Sequence, residues 1–102
     1  MSGAALLVLL AISTGLFAVG LFGLLARSGI FFQLLSLEIM LAAPALTFVA
    51  AGSYHGDAAG QAMFILILAL AASEAALGLA IYLRLARSPD GADADVLKEL
   101  RE

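Results

Sequence analysis

Glu38 and Glu74 each stand in a long apolar run with no other charged residue beside them in that run. A charged group near the centre of a bilayer costs on the order of 2.5–3.5 kcal/mol on translocon-based scales, and acids placed there usually mark an ion or proton path. A carboxyl suits that task because its charge follows its surroundings. Desolvation favours the neutral acid, whereas water or a nearby cation favours the anion, so a modest rearrangement loads or unloads a proton. Two such groups within reach of one another would titrate as a coupled pair. The two glutamates are therefore the candidate proton-relay residues, and the competing reading is that each only ties helices together through a hydrogen bond.

The elements that must position them follow from composition. The 102 residues are 64% hydrophobic and 13% charged, with mean hydropathy +1.10, against about 25% charged in ordinary soluble domains. The formal net charge of −3 comes from Asp90, Asp93, Asp95, Glu99 and Glu102 near the end of the chain. A membrane helix needs roughly 20 apolar residues, and the sequence divides into three such runs, about 3–26, 30–51 and 61–83. The expected fold is an all-α membrane protein: a three-helix transmembrane domain over 1–83 and an acidic tail over 84–102. Arg27-Ser28-Gly29 breaks the first two runs, and a loop rich in turn formers is expected from Gly52 to Gly60. A cleaved signal peptide is the competing reading of the first run. It lacks a basic start and exceeds the usual 7–15 apolar residues.

Basic residues lie at Arg27 and at Arg84, Arg87, Lys98 and Arg101, with none in the second connection. The positive-inside rule then predicts the N-terminus outside and the C-terminus in the cytoplasm. Phe31, Phe32 and Tyr82 would fall at the inner interface and Tyr54 at the outer one. Counted from the inner boundary, both glutamates lie about nine residues deep, or roughly 14 Å at 1.5 Å per residue, so they share a depth near mid-membrane.

Other residues bear on packing and on the path. Ala72, Ala76 and Ala80 form one small-residue row, and Glu74 and Gly78 share a neighbouring row, a face that suits close helix approach. Gly15 and Gly23 read as ordinary helix contacts. Pro44 removes the donor for the Met40 carbonyl, which predicts a kink or a water entry just beyond Glu38. Ser36 and Ser73 either assist the acids or bond their own backbone. His55, beside Asp57, reads as a solvated loop histidine with no assigned role. Pro89-Asp90-Gly91 reads as a turn, and 95–102 as either a short amphipathic helix or a frayed end. Without cysteine the chain offers no disulfide, thiolate metal site or usual iron–sulfur ligation. It shows no phosphate loop, nucleophile elbow, metal-ligand cluster or basic nucleic-acid patch, so neither catalysis by this chain alone nor nucleic-acid binding is expected.

The segments Leu35-Ser36-Leu37-Glu38-Ile39-Met40-Leu41, Gly60-Gln61 and Ala71-Ala72-Ser73-Glu74-Ala75-Ala76-Leu77-Gly78-Leu79-Ala80 resemble the subunit K family of bacterial NADH-quinone oxidoreductase, respiratory complex I. The resemblance covers nearly all of the first 83 residues. It implies a membrane-arm subunit of the bacterial inner membrane, packed among other hydrophobic subunits near the quinone-reacting end, with Glu38 and Glu74 in a chain of ionisable groups linking redox chemistry to proton transfer. It also implies that FMN, iron–sulfur clusters and quinone belong to partner subunits and that this chain holds no cofactor. Many family members carry Asn where Ala42 stands, and Pro44 is not typical, departures that bear on how water reaches Glu38. The alternatives are the related small subunit of a cation/proton antiporter or membrane-bound hydrogenase, a structural membrane adaptor, and a homo-oligomeric proton-carrying ring. The second acid weighs against the ring, whose subunits usually need two spans and one acid.

Overall fold

The computed structural model describes residues 1–87 of the 102-residue chain. The expected turn at Pro89-Asp90-Gly91, the segment 95–102 and nearly all of the acidic tail lie outside the described residues. Three helices follow in order: α1 (Gly3–Ala26), α2 (Ile30–His55) and α3 (Ala59–Ala86). Each is long and apolar enough to cross a membrane. With water absent from the hydrocarbon, a helix is the local structure that satisfies every backbone group within one segment, so the three apolar runs become three helices.

Helix ends are set by specific atoms. The Ser2 hydroxyl accepts a hydrogen bond from the Ala5 N–H at 3.1 Å and starts α1. Arg27 leaves the helix in extended conformation, its guanidinium 4.5 Å from the centre of the Phe32 ring, and its carbonyl accepts from the Gln33 amide group at 3.3 Å. At the other end α2 does not stop at 51 as the sequence suggested. It runs on through Gly52, Ser53, Tyr54 and His55 and ends at Gly56, which adopts the left-handed conformation at φ 65°. The Gly56 N–H donates to Ser53 O and the Asp57 N–H to Gly52 O at 2.9 Å, the paired bonds of a Schellman ending. Asp57 then accepts from the Ala59 N–H at 2.9 Å and opens α3. A connection expected to run from 52 to 60 is thus the three residues Gly56, Asp57 and Ala58. The glycines at 52 and 60 are helical, and their role is contact rather than turning.

The middle helix organises the fold. α2 packs against α1 on one side and α3 on the other, while α1 and α3 hardly touch. Among the described residues every buried position is Gly, Ala or Ser: Ser13, Gly20, Ser36, Ala43, Ala45, Ala50, Gly52 and Gly60. Large side chains such as Phe22 and Leu25 point outward, 73% and 77% exposed. This is the inverse of a water-soluble core. Between helices in lipid, burying a leucine gains little, because lipid tails are as apolar as leucine, and association rests on close van der Waals contact at small residues.

The contacts can be named. A Cβ added at Gly20 would lie 2.9 Å from both the Met40 nitrogen and the Ser36 carbonyl oxygen, and one at Gly23 would lie 2.5 Å from the Ser36 hydroxyl. These positions fix α1 on α2. Gly15, which the sequence paired with Gly23, faces nothing within 4 Å. At the α2–α3 turn a Cβ on Gly52 would lie 2.9 Å from the Gly60 Cα, and a Cβ on Gly60 would overlap the Phe48 carbonyl oxygen. At the opposite end Phe31 joins α2 to α3 through a ring contact with Tyr82 at 5.6 Å, and the Phe32 ring lies edge-on to Phe31 at 5.9 Å. The aromatic groups at 31, 32 and 82 therefore do share one end of the molecule, with Tyr54 at the other, stacked edge-on to His55 at 5.1 Å.

Substituting Gly60→Ala forces backbone from backbone and should destabilise the α2–α3 hairpin by about 1–3 kcal/mol, the usual range for overpacking. Gly15→Ala should change stability by less than about 0.5 kcal/mol. Both are measured by SDS titration of the detergent-solubilised full chain, followed by the near-ultraviolet circular dichroism of Tyr54 and Tyr82.

Candidate functional site

Helix register brings the two acids together. Gly52 meets Gly60 at the turn, and a Cβ on Gly78 would meet the Leu34 side chain near the far end. From Leu34 to Gly52 is 18 residues, and from Gly60 to Gly78 is also 18. At 3.6 residues per turn that separation is five complete turns, so both contacts lie on one line of each helix. Four residues on from Leu34 is Glu38, and four residues back from Gly78 is Glu74. The antiparallel register therefore sets Glu38 and Glu74 at one level of the seam, one turn inside the Leu34–Gly78 contact.

The acids occupy opposite flanks of the seam. Glu74 lines a groove of about 460 Å³ together with Gln33, Leu34 and Leu37 of α2 and Ser73 and Leu77 of α3. Glu38 lines a smaller hollow of about 150 Å³ with Ala42 and Ala45 of its own helix and Ile67, Leu68 and Ala71 of α3. In each carboxyl the Oε1 atom is buried and has no hydrogen-bond partner among the described residues. Leaving a buried polar atom unpaired costs roughly 1–3 kcal/mol, and more when it is charged. Such an oxygen is satisfied by a proton, by water, or by a donor from a neighbouring chain. The arrangement can hold and exchange a proton between two carboxyl groups that share one helix interface.

The hydroxyl side chains of the helices bond backbone carbonyls rather than the acids. Ser36 donates to the Phe32 carbonyl at 2.8 Å and faces α1 at Gly23. Ser73 borders the Glu74 groove yet donates to the Ala69 carbonyl at 2.9 Å. Ser13, Thr14 and Thr47 likewise bond the carbonyl four residues back. In a dry setting this local bond spares each hydroxyl an unpaired proton. Of the two roles open to Ser36 and Ser73, backbone bonding is the one observed.

Two departures in α2 separate in space. Ala42 borders the Glu38 hollow directly, so a residue with an amide group there would stand beside the acid. Pro44 instead lines a groove with Ser13, Thr14 and Phe17 of α1, and Met40 packs at Gly20 of α1. α2 continues as one helix through Pro44. The opening expected from the proline thus lies on the α1 side rather than at Glu38. His55 and Asp57 line a hollow at the α2–α3 turn, at the end of the seam away from Phe31 and Tyr82.

Sequence reasoning placed the two acids at one depth and read Gly78 as part of a close-packing face. It missed Gly20, although Gly20 and Gly23 lie three residues apart and so share one face of α1. It also missed the contact role of Gly52 and Gly60, whose conformational freedom equally fits a turn. The signal was present in the equal 18-residue separations, but it needs Leu34 as a known partner before it can be read.

Comparison with known proteins adds a second line of argument. The family described as NADH-ubiquinone/plastoquinone oxidoreductase chain 4L matches residues 8–102. NADH-quinone oxidoreductase subunit K of Rhodopseudomonas palustris (strain BisB5) is 54% identical over 101 residues, 99% of this chain and 99% of that protein. The subunit K proteins of Pseudomonas aeruginosa (strain LESB58) and Ectopseudomonas mendocina (strain ymp) are 53% and 49% identical over 92 residues, 90% of each chain.

Because Ser36 and Ser73 bond backbone carbonyls, Ser36→Ala and Ser73→Ala should leave the infrared carboxyl bands of Glu38 and Glu74 in place, whereas Glu74→Gln removes one of them. A band displaced by Ser73→Ala would show that its hydroxyl bonds the acid instead.

Proposed function

The chain belongs to the NADH-ubiquinone/plastoquinone oxidoreductase chain 4L family, and from that premise we propose that it is a membrane-arm subunit of a proton-translocating NADH-quinone oxidoreductase in which Glu38 and Glu74 relay protons. It is a component of a multisubunit enzyme rather than an enzyme alone. The observation that carries the relay is that Glu38 and Glu74 stand at one level of the α2–α3 seam, each with a buried oxygen that no described residue satisfies.

The step itself needs one carboxyl neutral and the other ionised. The neutral acid gives up its proton, directly or through a water, and the carboxylate opposite accepts it, after which the roles are reversed. Entry of water, or approach of a cation from a neighbouring subunit, biases the proton toward one site or away from both. The broad openings of the Glu74 groove and the Glu38 hollow face outward from this chain, which suits gating by residues of other subunits.

The partners of this reading are the other membrane-arm subunits and the lipid bilayer, and the location is the inner membrane of a bacterium. FMN, iron–sulfur clusters and the bound quinone reside in partner subunits. The N-terminus faces outward and the C-terminal end the cytoplasm, with Arg27, Arg84 and Arg87 at the inner surface. The sharing of one end by Arg27, Phe32, Phe31 and Tyr82 is consistent with an interfacial belt on that side.

Glu38→Gln and Glu74→Gln keep the shape of the side chain and remove its ability to ionise. In the assembled complex each should lower NADH-driven proton translocation by at least about tenfold, a modest share of the roughly 10²–10⁴-fold that a positioned proton-transfer group contributes. The test is proton uptake by inverted membrane vesicles, normalised to assembled complex. Full translocation by both variants contradicts the relay. Activity in the Gln variants together with failed assembly in Glu→Leu variants would establish the adaptor role instead.

A further inference from the structure

We propose that Gly78 and Leu34 form a spacer that sets the separation of the Glu38 and Glu74 carboxyl groups, and that both are positioning residues for proton transfer. The proposal rests on the relay reading above. Glycines mark two close contacts between α2 and α3, and the two differ in kind. At the turn, Gly52 and Gly60 bring backbone against backbone, with Cα and carbonyl atoms as the neighbours that a Cβ would strike. That contact has no side chain to yield. At the other end the α3 backbone at Gly78 rests on a side chain, and an added Cβ would fall 2.5 Å from Leu34 Cδ1, 3.1 Å from Cδ2 and 3.4 Å from Cγ, so an added methyl either turns the Leu34 side chain or shifts α3 outward, and the spacer role requires the shift.

The acids lie between these contacts and next to the softer one. Leu34 is one turn from Glu38, Gly78 is one turn from Glu74, and Leu34, Glu74 and Gly78 line the same groove. With the backbone contact at Gly60 as a fixed end, a displacement at Gly78 reaches Glu74 reduced only in proportion to distance along the helix. Glu74 is 14 residues from Gly60 and Gly78 is 18, or about 21 and 27 Å at 1.5 Å per residue. Moving α3 outward by about 1 Å at Gly78 thus moves Glu74 by roughly 0.8 Å. Proton transfer between heavy atoms depends steeply on separation, and a misplacement of about 1 Å can cost on the order of a hundredfold in rate. Leu34 matters as much as Gly78, since its branched end is what the glycine meets. Shortening one partner should therefore offset enlarging the other.

The experiment uses the complete complex in its membrane with Gly78→Ala, Leu34→Ala, the double variant, and Glu74→Gln as a reference. Assembled complex, kcat and KM for quinone reduction, and protons moved per NADH are measured for each. Gly78→Ala should lower kcat per assembled complex on the order of tenfold with KM for quinone unchanged, and adding Leu34→Ala should restore most of the loss. A purely structural role would reduce the amount assembled and leave kcat per complex intact. Full kcat in Gly78→Ala, or no recovery in the double variant, overturns the proposal. If Gly78→Ala prevents assembly, Leu34→Phe enlarges the same contact from α2, and full kcat in that variant overturns it equally. Undiminished translocation by Glu74→Gln sinks the relay itself, whereas loss in Glu74→Gln with full kcat in Gly78→Ala sinks only the spacer.

Discussion

Two helices can bring carboxyl groups together inside hydrocarbon only if their backbones approach closely, and here that approach depends on glycine. Gly52, Gly60 and Gly78 carry no Cβ where one would strike the facing helix. The equal spacing of the two contacts along α2 and α3 fixes an antiparallel register, and the register in turn decides which residues face each other. Glu38 and Glu74 share one level of the seam because of where the glycines are, with no hydrogen bond or ion pair among the described residues drawing them together. The usual hierarchy of a soluble protein is inverted: the small residues hold the structure, and the polar groups are held.

The rest of the chain follows from the same economy. Hydroxyl groups along the helices donate to their own backbone four residues back, so those protons are taken up locally. The two carboxyl oxygens at Glu38 and Glu74 are then the buried side-chain atoms that remain unpaired among the described residues. α1 docks through Gly20 and Gly23 on the opposite side of α2, so it can support the middle helix without entering the site. Pro44 belongs to that α1 side as well, which keeps its backbone irregularity away from the acids. The short Schellman turn at Gly56 closes one end of the seam and leaves its two flanks open to neighbouring subunits.

Much of this was legible in the sequence because the bilayer imposes lengths and penalties that composition reveals. Three apolar runs of spanning length gave three helices, with the start of α1 at Gly3 and of α2 at Ile30 as expected. The two lone acids stood out because hydrocarbon makes them costly. The depth argument placed them together before any register was known. The turn was misread because glycine serves two ends, conformational freedom and close contact, and sequence alone does not say which. Nor does sequence say that α2 is central, since all three helices are apolar around most of their circumference. The direction of Ser36 toward α1 rather than toward Glu38 likewise needed the packing, for a residue two places from an acid points to another face of the helix.

The central claim is that Glu38 and Glu74 act as one coupled pair rather than as two separate acids. The most direct measurement is an infrared titration of the assembled complex with isotope-labelled glutamate, comparing the native chain with Glu38→Gln. The account predicts that removing the Glu38 charge displaces the titration midpoint of the Glu74 band and simplifies its curve to that of a single group. An unchanged Glu74 midpoint and curve would contradict it, because two carboxyl groups at one level of a shared helix seam must sense one another's charge.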